Sequence, residues 1–454
     1  LTRPPFGFGP GDRPDEPDDG SGDDPMGLAK MFGGLFGGGG AGGDLLGQLS
    51  SLMSWSGGPV NWDLATSIAG NANPAESEDV VGPEDRTAVA DACRLADLWL
   101  DPLTTLPGSG GTGQAWTRRE WLETTKPAWR QLVDPVAGRV VTAMGGAMER
   151  GLAGGFGGAL GEGLPEEMQG MLGGLGPLKG VMDQVGGFVF GAQVGQALGA
   201  LAGEVLSSTE IGLPLGDPGK PALLPRNVAA FSAGLEVPAD EVRLYLALRE
   251  CAHQRLFAHV PWLKAHLFDA VDAYGRGIEV DPQAIERAVG SFDPSEPESL
   301  QRAMGEGVFD MQPTPAQQAA LARLETALAL VEGWVDAVVD AAARGPLSSA
   351  PALREMIRRR RASGGPAEQT FATLVGLQLR PRRLREAAAL WSAVADARGV
   401  EGRDALWAHP DLLPGPDDLD DPAGFLTRSG ASSSEGEGSG TDWDAELRGL
   451  DGDA

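Results

Sequence analysis

The sequence predicts a mainly α protein with minimal β-structure and disordered termini. Three observations carry this reading. Apolar residues recur at helical spacing from about Asp85 to Ala397, and only Ile211–Pro225 (IGLPLGDPGKPALLP) has the Gly and Pro punctuation of a strand or hairpin. The apolar fraction is 42%, enough to fill a sizeable core. Both ends are acidic and rich in Gly, Pro or Ser, with little to bury.

Residues 1–58 read as a disordered acidic and Gly-rich segment, including the low-complexity linker KMFGGLFGGGGAGG. Ordered structure is expected from about residue 59, with Asn61 or Asp63 placed to cap a helix. Asp85–Leu100 reads as one helix. Arg118–Glu123 and Pro127–Met148 read as two more, Pro127 suiting a first turn. A Gly-rich loop and a packing helix share residues 151–208. Within Met182–Leu206, Gly187, Gly191, Gly195, Gly199 and Gly203 recur every four residues, a smooth stripe on which a second backbone can close. Gln193, Gln196 and Glu204 interrupt this stretch and no basic flank anchors it, so it reads as a buried helix and not a membrane span. Helices follow at Ala239–His259, Trp262–Gly275, Pro282–Val289, Pro315–Ala343, Ala352–Ala362, Pro366–Leu377 and Pro381–Ala397. The chain turns acidic beyond Leu413, and 428–454 reads as a disordered Ser/Gly-rich tail. One mainly helical domain, 59–427, lies between the tails.

The 64 acidic and 36 basic residues give a formal charge of −28. Residues 1–29 and 411–454 carry nineteen of the acids and four of the bases, so over half of the charge belongs to the tails. An acidic chain is a poor ligand for nucleic acid or an anionic membrane, and neither is an expected partner. Two cysteines exclude a disulfide scaffold or a four-cysteine zinc site. With no basic segment followed by an apolar one near residue 1, they predict a cytoplasmic protein. The arginines at 354 and 358–361 read as intramolecular partners for acids.

Three of the four histidines, His253, His259 and His266, lie within fourteen residues. The run Arg249-Glu250-Cys251-Ala252-His253 has the shape of H-E-x-x-H, in which two histidines one turn apart bind zinc and the glutamate handles the proton of a zinc-bound water. Arg249 stands where the first histidine would be. His259 follows His253 by six residues, the gap of the longer H-E-x-x-H-x-x-G-x-x-H form, with Leu256 in place of its glycine. A second helix carries Glu332 and Asp336 four apart on one face, with Glu325 on the same stripe.

The chain resembles the actinobacterial zinc-dependent metalloprotease-like family, a group of zincin-like hydrolases with a related branch associated with deazaflavin-coenzyme biosynthesis. The resemblance runs from about Trp55 to Phe425. It rests on SWSGGPVNWDLA, FGAQVGQALGALAGEVL, EIGLPLG, VRLYLALRECAHQRLFAHVPWL, ALARLETALALVEGWVDAVVDAA, GGPAEQTFATLVGLQLRPRRLREAAALW and GRDALWAHPDLLP. It implies a zincin-like helical domain, a zinc ion, a peptide substrate, Glu250 as general base, and His253 and Glu332 as zinc ligands. The related branch looks intact at H-E-x-x-H and at Glu-Gly-His-x-Asp; this chain departs from it at Arg249 and Trp334.

Two readings of the degenerate R-E-x-x-H site follow. Val242, Leu246, Arg249, His253, Leu256 and Val260 share one helical face, and a guanidinium on an apolar face needs a carboxylate. In one reading Arg249 pairs with Glu332, Asp336 or both, its charge standing in for the metal's in a non-catalytic scaffold or interaction protein. In the other, His253, Glu332 and a third ligand, His259 or His266, hold zinc while Glu250 activates its water.

Overall fold

A computed structural model describes residues 57–72, 80–151, 176–277, 314–362, 370, 374 and 383–435. The described residues form eleven helices: α1 (Trp62–Asn71), α2 (Pro83–Leu100), α3 (Arg118–Gly151), α4 (Gly176–Glu204), α5 (Pro225–Ser232), α6 (Ala239–His259), α7 (Leu263–Arg276), α8 (Pro315–Ala343), α9 (Ala350–Ala362), α10 (Leu384–Asp404) and α11 (Pro422–Glu435). Among the described residues the one sheet is a parallel pair, β1 (Gln114–Ala115) with β2 (Ala222–Leu223). The mainly α class expected from the sequence is what folds.

Two helices form the centre. Every residue of α6 from Tyr245 to Phe257 is buried, as is every residue of α8 from Ala327 to Asp336. Such helices are covered on all sides, so their charged residues must find partners inside the protein. α2, α8 and α9 pack against α6, and α7 and α10 against α8. A capping box starts α8: the Thr314 hydroxyl accepts from the Gln317 amide at 3.2 Å, and the Gln317 side chain accepts from the Thr314 amide at 2.9 Å. Gly333 lets α10 close on α8, since a Cβ there would lie 2.5 Å from that of Ala387.

The glycine stripe of α4 packs as expected, against α1. A Cβ on Gly191, Gly195 or Gly199 would fall 2.6–2.7 Å from Asn61 O, Ala65 O and Ala72 Cβ in turn. No described helix is long and apolar enough to cross a membrane.

Several expectations need correction. Arg118–Gly151 is one helix with Pro127 and Pro135 inside it, not two. Trp121, Trp129, Leu132 and Val136 bury one continuous face, and that burial outweighs the roughly 3 kcal/mol an interior proline costs. Of the strand or hairpin expected at Ile211–Pro225, the strand is what forms. This strand, β2, lies between β1 and Leu206–Ser208: Trp116 N–H donates to Leu223 O at 2.9 Å and Leu224 N–H to Leu206 O at 2.9 Å. The acidic end beyond Leu413 continues into α11, where Phe425 is buried beneath Arg398. Pro282–Val289, nearly all of Pro366–Leu377, and the expected disordered ends up to residue 56 and beyond 435 lie outside the described residues.

Candidate functional site: a buried charge cluster on Glu332

Arg249 and His253, one turn apart on α6, face Glu332 on α8. Arg249 Nη2 donates to Glu332 Oε2 at 2.7 Å, and His253 Nε2 lies 3.0 Å from Glu332 Oε1. From α9, Arg361 Nη1 reaches the same Oε1 at 2.5 Å. Only 1% of the Glu332 side chain is exposed. Burial by itself would raise the Glu332 carboxyl, but Arg361, His253 and Arg249 outweigh it and hold it well below the usual carboxylate range. Burial likewise works against the charge on Arg249, and the carboxylate of Glu332 overcomes it.

Hydrogen-bond acceptors flank both ring nitrogens of the imidazole. His253 Nδ1 lies 2.9 Å from the carbonyl oxygen of Arg249 and Nε2 faces a carboxylate oxygen. One carboxylate therefore meets two guanidinium groups and an imidazole, carried on two helices.

Gly212, in the loop after α4, completes the enclosure. It has a φ of +77°, and a Cβ there would fall 2.9 Å from Glu332 Oε1. The carbonyl oxygen of Glu210 in that loop accepts from Arg361 Nη2 at 2.5 Å.

Asp336, one turn along α8, has other partners than those of Glu332. Arg354 donates to Oδ2 from Nε at 3.0 Å and Nη2 at 2.6 Å, and Arg358 Nη2 at 2.7 Å. Against the effect of burial, these arginines and the more distant charge of Arg249 keep the Asp336 carboxyl below its ordinary range. Of the two partners expected for Arg249, the direct one is Glu332.

Glu250 shares no partner with Glu332. Its carboxylate accepts from the Ser208 hydroxyl, from Thr209 Oγ1 at 2.5 Å, from the backbone N–H groups of Thr209 and Ala222 at 3.2 Å each, and from Gln254 Nε2 at 3.0 Å. A carboxylate has about four lone-pair sites, and five donors occupy them. Glu250 ties the segment before β2, and β2 itself, to α6.

The residues do not fit a zinc ion. His253 Nε2 and Glu332 are close enough to share one, yet both oxygens of Glu332 are already held by guanidinium groups, and a cation there repels another. His259, the expected third ligand, is exposed at the end of α6, about 9 Å along the axis from His253. His266 is half-buried with its ring against the edge of Trp262. Among the described residues, no three His, Cys, Asp or Glu side chains gather as a metal site. Trp334 is fully buried and donates to Asp404 Oδ1 at 2.9 Å, with Arg403 over its ring.

Sequence reasoning found Arg249, His253 and Glu332 and expected the arginines at 354 and 358–361 to pair with acids, as Arg361 does with Glu332, but it missed the donors around Glu250. Arg354, Arg358 and Arg361 follow i, i+4, i+7 spacing, so one face of α9 was marked as cationic. Nothing local marks Ser208 and Thr209 as partners of a glutamate some forty residues later.

Comparison with known proteins places this geometry. The model of the zincin-like metallopeptidase family matches residues 60–426, and the chain belongs to that family. A crystal structure from Chloroflexus aurantiacus, described as a "putative hydrolase with a novel fold", is 20% identical in sequence. It superposes with a TM-score of 0.55, covering 82% of this chain and 98% of that one, and thus shares its fold. No curated protein matches the chain.

Proposed function

We propose that this member of the zincin-like metallopeptidase family is a non-catalytic scaffold or interaction protein, in which Arg249 and Arg361 give Glu332 the positive charge that a metal gives it elsewhere. The observation that carries the reading is the meeting of Arg249, Arg361 and His253 on the one carboxylate of Glu332. The saturated carboxylate of Glu250 supports it, because a general base needs a free lone pair for the proton of water. Asp336 steadies Arg354 and Arg358 on α9. The helix pair of a zincin is thereby kept as a rigid centre without the ion.

The competing reading, zinc-dependent hydrolysis of a peptide, is favoured by the family to which the chain belongs. Digestion of an unbiased peptide mixture, followed by mass spectrometry with and without added zinc, separates the two. The scaffold reading predicts no cleavage above that of the His253→Ala variant. Cleavage that a chelator abolishes, zinc restores and His253→Ala lacks would overturn it.

A further inference from the structure

The chain has two cysteines, and the fold sets them against each other. Cys93 on α2 and Cys251 on α6 are 158 residues apart in sequence, and both are buried free thiols. The Cys251 thiol donates to the carbonyl oxygen of Cys93 at 3.7 Å. Ala92 and Ala96 flank Cys93, Ala252 adjoins Cys251, and all three are buried, so α2 and α6 approach closely at this level. On the other side the backbone closes in, since a Cβ at Gly113 would fall 2.6 Å from both Cβ and Sγ of Cys93. Neither thiol takes part in the hydrogen bonds around Glu332 or Glu250.

We propose that Cys93 and Cys251 are an oxidation site, a dithiol that hydrogen peroxide converts into a disulfide clamping α2 to α6. In the first step one thiol sulfur attacks peroxide. The O–O bond breaks, an S–O bond forms, and water leaves with the thiol proton. In the second step the other sulfur attacks that sulfenic acid. The S–O bond breaks, the S–S bond forms, and a second water leaves with the second proton. Two thiols and one peroxide thus give one disulfide and two waters.

The surroundings choose the oxidant. Both thiols are buried, which keeps bulky disulfides such as oxidised glutathione from reaching either sulfur. Hydrogen peroxide is small and neutral and reaches interior thiols that a tripeptide does not. The sulfenic acid formed there has the second thiol as its neighbour, so the disulfide forms ahead of over-oxidation. Because α6 also carries Arg249, Glu250 and His253, the clamp fixes the central helix to α2.

The test is intact mass. Full-length protein is treated with hydrogen peroxide, quenched with catalase, then unfolded in guanidinium with an alkylating agent. The expected product is about 2 Da lighter, takes up no alkyl group and reverts with dithiothreitol. Closing so long a loop should also raise the melting temperature by roughly 5 °C, reversibly. Cys93→Ser and Cys251→Ser should each fail to lose the mass. If either variant does not fold, peptide mapping of the oxidised wild type decides, by linking the Cys93 and Cys251 peptides. Two alkyl groups after peroxide treatment, sulfinic or sulfonic acid on either cysteine, or a disulfide-linked dimer would overturn the proposal.

Discussion

Replacing Glu332 by Gln keeps the shape of the side chain and removes the one negative charge on which Arg249, Arg361 and His253 meet. Breaking a buried ion pair by removing one partner costs about 3–5 kcal/mol, because the remaining charge is left uncompensated. Here two guanidinium groups and the imidazole of His253 are left, so Glu332→Gln should lie near the upper end, at about 5 kcal/mol. Arg249→Met should cost less, about 3 kcal/mol, since Glu332 keeps Arg361 and His253. Urea unfolding followed by tryptophan fluorescence at pH 7 reads both, and Arg249→Met serves alone if Glu332→Gln does not fold. Acid supplies an independent check with a definite sign. The folded-state value of Glu332 is depressed, so its contribution is complete above its ordinary value of 4.5 and is lost as pH falls toward the folded value. The gap between wild type and Glu332→Gln should therefore narrow below about pH 4.5. A gap under about 1 kcal/mol at pH 7, or one that does not narrow in acid, would refute the reasoning.

Three further outcomes follow from the same geometry. Gly212→Ala forces an L residue into φ +77° and its Cβ to within 2.9 Å of Glu332 Oε1, and should cost about 2 kcal/mol in urea unfolding. Gly333→Ala sets a methyl 2.5 Å from Ala387 Cβ, and should lower stability by about 2–3 kcal/mol through separation of α8 from α10. Glu250→Gln exchanges an acceptor-only group for one with donors, and should leave the Thr209 and Ala222 amides exchanging with deuterium about tenfold faster or more, with other α6 amides little changed.

Much of this was legible in the sequence where the signal was long and periodic. α6 and α8 fall on the residues their apolar spacing marked, helped by Pro238 before one and Thr314-Pro315 opening the other. The pairing of Arg249 with Glu332 was legible because a guanidinium on an apolar face has few ways to be satisfied. The continuity of α3 was hidden because Pro127 and Pro135 are local helix-breaking signals, while the burial of Trp121 and Trp129 that overrides them depends on the whole core. The strand signal at Ile211–Pro225 left strand and hairpin open, because the partners of β2, Gln114–Ala115 and Leu206–Ser208, lie outside the segment that carries it. The five donors on Glu250 come from three such separated places. The motif spacing that suggests a general base holds no information about them.

The claim at the centre is that guanidinium groups hold Glu332 where a zincin holds zinc, and metal stoichiometry tests it most directly. The protein should be purified without chelator or affinity tag, incubated with excess zinc, freed of loose metal by gel filtration and measured by inductively coupled plasma mass spectrometry. The account predicts zinc well below one equivalent, unchanged in His253→Ala. One equivalent of zinc that His253→Ala or Glu332→Gln loses would contradict it.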